Sequence, residues 1–162
     1  MTEAKLRSVV PTIFDFQRIP YTYQGKNPAQ GLDCFTFYNY VRYKYLKEIV
    51  NGFTEYYQYE LHGDIPSNFL YDISISTFGK PNGNINTTKL PFLLNDWDGV
   101  LGFSTVVEYM SKPYMLTTST HKGSMAFPLR KYQGKIICAW DLGTSEINRI
   151  DKVDNFYGQE IC

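Results

Sequence analysis

The clearest pattern along the chain is an apolar stripe of helical period. Cys34, Tyr38, Val41, Tyr45 and Ile49 follow one another at steps of four, three, four and four, and Phe37 and Leu46 widen the stripe. That spacing predicts an amphipathic helix over residues 34–50. Asp33, directly before it, is placed to accept hydrogen bonds from the first turn as an N-cap. Lys44 and Lys47 lie late in the helix, and Asn51-Gly52 reads as its stop. Upstream, residues 20–33 carry Gly25, Asn27, Pro28 and Gly31 and read as a loop. Val9, Val10, Ile13, Phe14 and Phe16 cluster around Pro11 and before Pro20, which predicts only a short helix or strand there.

Downstream the period changes to two. The alternation Ile73-Ser74-Ile75-Ser76-Thr77-Phe78 predicts a strand, and Pro81-Asn82-Gly83-Asn84 a turn behind it. Residues 53–95 as a whole keep no consistent period. They hold Tyr56, Tyr57, Tyr59, Phe69 and Tyr71, then a second apolar run, Leu90 to Leu94, around Pro91. So long an irregular section reads as an insertion that serves a partner. From 96 to 140, β-forming runs alternate with turns: Gly99 to Met110, a turn at Ser111-Lys112-Pro113, Tyr114 to Ser119, a turn at His121 to Ser124, Met125 to Leu129, and Lys135 to Trp140. That order predicts an antiparallel meander. A helix followed by a meander is an α+β domain with the helix on one sheet face. The expected organisation is a single domain over 1–142 with an insertion at about 53–95, then a polar C-terminal extension, 143–162.

Composition narrows the class of function. The chain has 162 residues, enough for one domain with a real core. Its 16 basic and 16 acidic residues cancel, which speaks against nucleic acid or an anionic membrane as partner. No apolar run has transmembrane length, and the N-terminus has no signal-peptide h-region, so synthesis in the cytoplasm is expected. The 14 tyrosines and 11 phenylalanines suit either a half-wet core or a large protein contact surface. Three cysteines, Cys34, Cys138 and Cys162, with no CxxC pair, read neither as a disulfide framework nor as zinc ligands. Asp96-Trp97-Asp98 lacks the further spaced oxygens that calcium needs, and no phosphate loop is present, so no metal or cofactor is expected.

The candidate chemistry centres on Cys34. A thiol at the first position of a helix lies at the positive end of the helix dipole, which favours the thiolate. Backbone N–H groups there could line an oxyanion hole. The same residue could equally be a small buried hydrophobe.

Pro20-Tyr21-Thr22-Tyr23-Gln24-Gly25, then Gly31-Leu32-Asp33-Cys34-Phe35 and Tyr38-x-Tyr40-Val41, resembles the NlpC family of papain-like cysteine endopeptidases, and most of all the version carried in phage tails. The resemblance covers roughly residues 10–50 and 97–140. It implies a papain-like fold in which the helix bearing Cys34, the nucleophile position, packs on the antiparallel sheet. It also implies Tyr23 as the loop tyrosine, a base at the first core strand, a polar residue orienting that base from the next strand, and bonds in bacterial peptidoglycan peptides as substrate. In this chain the base position reads Thr105 and the orienting position Thr117. A threonine takes no proton near neutral pH, and a cysteine protease needs its imidazole twice, for the thiolate and for the leaving amine. The second glycine of the loop motif is also replaced, by Lys26. Only His121 and His62 could substitute as base. Asp33 and Glu108 fit leaving-group protonation poorly.

Two functions follow from the resemblance. The favoured one is a structural or assembly component of a phage tail tip, built on a degenerate NlpC-type fold, impaired as an enzyme and touching other tail proteins through its tyrosine-rich surface in the virion. The alternative is an active endopeptidase that cuts peptidoglycan peptides during DNA entry. An ordinary α+β binding domain is the third possibility. All three turn on whether Cys34 stands at a helix start facing an antiparallel sheet.

Overall fold

The computed structural model describes residues 11–50, 69–83, 85–97, 100–119, 122–142 and 147–149. The fold is α+β: two helices lie on one face of a five-stranded antiparallel sheet.

Helix α1 spans Cys34–Leu46. Asp33 caps it as expected. Its backbone is extended, its side chain accepts from Thr36 N–H, and the Thr36 hydroxyl accepts from Asp33 N–H in return, which makes a capping box. The helix ends earlier than the stripe predicts. Lys47 turns left-handed at φ 59° and donates its N–H to Tyr43 C=O, and strand β3, Glu48–Val50, runs back from there. Two polar side chains of α1 explain the reversal. The Asn39 amide grips Val50, accepting from its N–H and donating to its C=O, while Arg42 pairs with Glu48. The 143–162 extension contributes a strand, β9 (Ile147–Arg149), antiparallel to β3. The rest of that extension, 1–10 and 51–68 lie outside the described residues.

Before α1, residues 20–33 form more than a loop. Two short strands, β1 (Lys26–Asn27) and β2 (Gly31–Leu32), pair in a small hairpin. Ahead of it, Ile13–Phe16 make a 3-10 helix capped by Thr12 and Asp15.

The run 73–78 is helix rather than strand, and this is the main correction to the predicted elements. It belongs to α2, Phe69–Phe78. Leu70, Ile73 and Ser74 are its buried positions, at helical spacing, and the Ser74 hydroxyl donates back to Leu70 C=O. Leu70, three residues upstream of Ile73, sets a 3.6-residue period that the local alternation hides. Gly79, at φ 81°, closes the helix.

The sheet holds β4 (Phe92–Trp97), β5 (Val100–Tyr109), β6 (Lys112–Ser119), β7 (Gly123–Pro128) and β8 (Ile136–Trp140), in the order β7-β6-β5-β4-β8. Strands β5, β6 and β7 follow one another as the expected meander does, but β4 joins them on the other side of β5, and the expected fourth strand, β8, does not pair with β7. A short helix, α3 (Leu129–Tyr132), and a 3-10 turn then carry the chain across to place β8 beside β4. The apolar run read as the end of the insertion is therefore β4, an interior strand. The turn between β5 and β6 is Met110-Ser111, both at positive φ, so Lys112 and Pro113 already belong to β6. The inner face carries Phe92, Leu94, Phe103, Val107, Leu116 and Trp140 against α1 and α2. The outer face carries Leu93, Val106 and Ala139 against Leu129 and Ile85. Among the described residues no helix is long and apolar enough to cross a membrane.

Candidate active site at the start of helix α1

Cys34 is the first residue of α1, and its helix faces the antiparallel sheet. The thiol lies in an apolar cluster with Phe35, Tyr38, Phe92, Phe103 and Trp140, and the residue is 6% exposed. Rings pack tightly there: Phe92 meets Phe103 and Tyr38 at centroid distances of 4.7 Å each. Tyr23, half-buried, packs against the same cluster from the loop.

Asp33 is committed to structure. It is fully buried; Oδ1 accepts from Thr36 N–H at 2.9 Å, and Oδ2 accepts from Gln24 N–H at 2.9 Å. Both oxygens thus hold backbone, which removes Asp33 from the field of available bases. Glu108 stands at the exposed far end of β5, next in register to Pro113.

Thr105 lies in the middle of β5, 1% exposed. Side chains alternate along a strand, so Thr105 shares the inner face with Phe103 and Val107, the face that α1 covers. Its hydroxyl has no hydrogen-bond partner among the described residues. Thr117 is different. It is opposite Ser104, whereas Thr105 is opposite Leu116. Cα partners in an antiparallel pair point to the same side, so Thr117 faces outward with Ser104. Ser104 in turn donates to Asn95 Oδ1 at 2.6 Å, which makes a small buried polar cluster on the outer face. The two strand positions implied by the resemblance are therefore not brought together. The β6 residue directly opposite Thr105 on that face is Leu116, and the threonine of β6 that shares the face is Thr118, also buried and also without a hydroxyl partner among the described residues. The resemblance points to Thr117 rather than Thr118, and a hairpin turn read at 111–113 carries no signal against it. With the turn at Met110-Ser111 the parity of every β6 residue is fixed, and a slip of one residue exchanges the faces.

His121 and His62 lie outside the described residues. So does Asp98; Asp96 lies within β4. Among the described residues no group of three His, Cys, Asp or Glu side chains could hold a metal ion. A cavity of about 500 Å³ opens between the 81–85 segment and β8, lined by Asn82, Ile85, Gln133, Ile137 and Cys138 among others, and it includes none of the candidate residues. Cys34 and Cys138 both carry thiols rather than a disulfide, and burial raises the Cys138 thiol above its ordinary pKa.

A second buried polar group anchors α1 from the other side. Arg42 donates through Nη2 to Glu48 Oε1 at 2.8 Å and through Nη1 to Leu90 C=O at 3.0 Å, where the Tyr38 hydroxyl also donates at 2.6 Å. Leu90 adopts φ 47°, a conformation that a branched side chain resists, directly before Pro91 and β4. Neither a protein-family model nor a curated protein sequence matches this chain.

Proposed function

We propose that the protein is a structural or assembly component of a phage tail tip, built on a papain-like NlpC-type fold whose catalytic set has decayed. The observation that carries this reading is the state of Cys34. It occupies a helix start against an antiparallel sheet, as a cysteine peptidase nucleophile would, yet it is nearly buried and the strand position facing its helix holds Thr105. A threonine hydroxyl neither accepts the thiol proton nor protonates a leaving amine. The neighbouring carboxylate of Asp33 is held by backbone donors. What the fold offers instead is surface. Phe14 is 60% exposed and stacks edge-on with Tyr109, which does the same with Tyr114, and Met110 projects beside them from the hairpin tip. Aromatic and methionine side chains are enriched where proteins dock, and neighbouring tail proteins are the partners assigned to this surface.

Genetic complementation in the phage that encodes the chain tests the proposal. Deleting the gene is expected to abolish tail assembly, and Cys34→Ala is expected to restore infectious particles at the wild-type level. Particles that assemble but fail to infect with Cys34→Ala would replace this reading with the endopeptidase.

A further inference from the structure

We propose that the groove between residues 81–85 and strand β8 is a docking site for an extended, acidic peptide segment of a partner protein. The inference rests neither on Cys34 nor on the tail-tip reading.

β8 ends the sheet on its side, and it carries a bulge. Leu94 stands opposite Cys138 and Asn95 opposite Ile136, so Ile137 is left over, without a Cα partner in β4. A bulge re-aims the side chain that it inserts. Ile137 is accordingly 48% exposed, while Ile136 is half-buried and Cys138 buried. These three residues line the cavity of about 500 Å³ together with Ile85, Asn82 and Gln133. A cavity of that size encloses a ligand as large as a short stretch of peptide. The wall opposite β8 is fixed in place. Asn82 and Gly83 N–H both donate to Ala139 C=O at 3.1 Å, Asp141 N–H donates to Asn82 Oδ1 at 3.2 Å, and Trp140 Nε1 donates to Gly79 C=O at 2.9 Å. The groove is therefore preformed, which spares an occupant the cost of ordering it.

Charge names the occupant. The stretches that build and flank the groove, 80–85 and 129–140, hold Lys80, Arg130, Lys131 and Lys135 and no aspartate or glutamate, in a chain whose 16 basic and 16 acidic residues cancel. All four cations are exposed, and Lys80 and Lys135 directly adjoin the lining residues Pro81 and Ile136. Asp141, just past β8, is paired with Lys89. The lining itself carries no charged side chain. An apolar floor under a cationic rim fits a ligand in which apolar side chains alternate with carboxylates. Asn82 and Gln133 add amide groups, which hydrogen-bond peptide groups and have nothing to offer a hydrocarbon tail, so the ligand class is peptide rather than lipid. Complementary charge steers the encounter, and burial of Ile137 holds the complex.

The test is an amide NMR titration of the full, isotope-labelled chain at low salt with the end-blocked peptide Glu-Leu-Glu-Leu-Glu. Saturable shifts are expected at Asn82, Gly83 and Ile136 to Ala139, and the affinity is expected to fall as salt is added. Three relatives of the probe decide what is recognised: Lys-Leu-Lys-Leu-Lys, Glu-Ser-Glu-Ser-Glu and decanoate. Each is expected to bind at these residues roughly 10-fold more weakly or worse. Ile137→Ser, and Lys80→Glu combined with Lys135→Glu, are each expected to weaken the first peptide by roughly 3- to 10-fold while the rest of the spectrum keeps its pattern. The proposal is overturned if no saturable shift centres on the groove. It is equally overturned by a serine peptide that binds as well, which would mean a charged patch alone, by a lysine peptide that binds as well, which would mean apolar adhesion alone, and by decanoate that binds as well, which would mean a lipid site. The wild-type titrations need no variant and so decide the matter even where a substitution fails to fold.

Discussion

Thr105 and Thr117 sit on adjacent strands but on opposite faces of the sheet, Thr105 beneath helix α1 and Thr117 beside Ser104 on the outer side. Both hydroxyls are buried without a hydrogen-bond partner among the described residues. A buried hydroxyl left unpaired is a net cost, and valine has nearly the same shape without it. Thr105→Val and Thr117→Val are therefore each expected to leave stability unchanged or to raise it by about 1 kcal/mol, measured by urea denaturation. A loss of more than about 1 kcal/mol in either variant would mean that the hydroxyl has a partner after all.

Gly123 begins β7 at φ 71°, and a Cβ there would meet Ile19 C=O, the acceptor of the Ser124 N–H bond that ties the N-terminal segment to the sheet. Gly79 is also at positive φ, but open space surrounds it. Gly123→Ala is expected to cost about 2–3 kcal/mol, from strain plus the lost tie, and Gly79→Ala about 1 kcal/mol, from strain alone. Equal effects on the unfolding midpoint would contradict the close approach at Ile19.

Arg42 is held more by carbonyls than by its ion pair. Its guanidinium reaches Lys89 C=O and Leu90 C=O as well as Tyr38 and Glu48, and Glu48 is a quarter exposed. Arg42→Ala is expected to cost about 3 kcal/mol, because it also releases the left-handed Leu90 peptide. Glu48→Gln, whose loss water partly repairs, is expected to cost about 1 kcal/mol. If the two changes prove equivalent in denaturant titrations, the ion pair carries the site and the carbonyl contacts do not.

The same network predicts a pH dependence. Burial pushes the Tyr38 phenol up to about 12, against partial opposition from Arg42. An unfolded phenol titrates near 10. Between these values the unfolded chain has released a proton that the folded chain keeps, so raising the pH favours unfolding. The stability present below pH 10 is expected to fall by about 2 kcal/mol as the pH approaches 12, and Tyr38→Phe is expected to flatten that fall. Tyr45, half-buried and also raised to about 12, adds a slope of the same sign that survives in the variant. An unchanged slope in Tyr38→Phe would assign the whole effect elsewhere.

Much of the frame is legible along the chain, and the failures have a common cause. The start of α1 follows from Asp33 and the spacing of Cys34, Tyr38 and Val41, and the β5-β6-β7 meander follows from its β-rich runs and turns. These signals are local. The end of α1 is set by Asn39 and Arg42 gripping Val50 and Glu48, and by pairing with residues about 100 positions later. No window of sequence contains that pairing. The helix at 69–78 was hidden because Ile73-Ser74-Ile75-Ser76 satisfies period two locally, while Leu70 and the sheet below it impose 3.6. The candidate site suffers from the same limit. Which threonine faces α1 depends on hairpin register, and register depended on a Met110-Ser111 turn that lacks the usual Asn-Gly signal.

The central claim is that Cys34 holds a nucleophile's place without a nucleophile's work. Incubating the purified chain with peptidoglycan and quantifying newly released amino groups tests it most directly, with Cys34→Ala in parallel. The account predicts release indistinguishable from the Cys34→Ala background. Release that depends on Cys34 would contradict it.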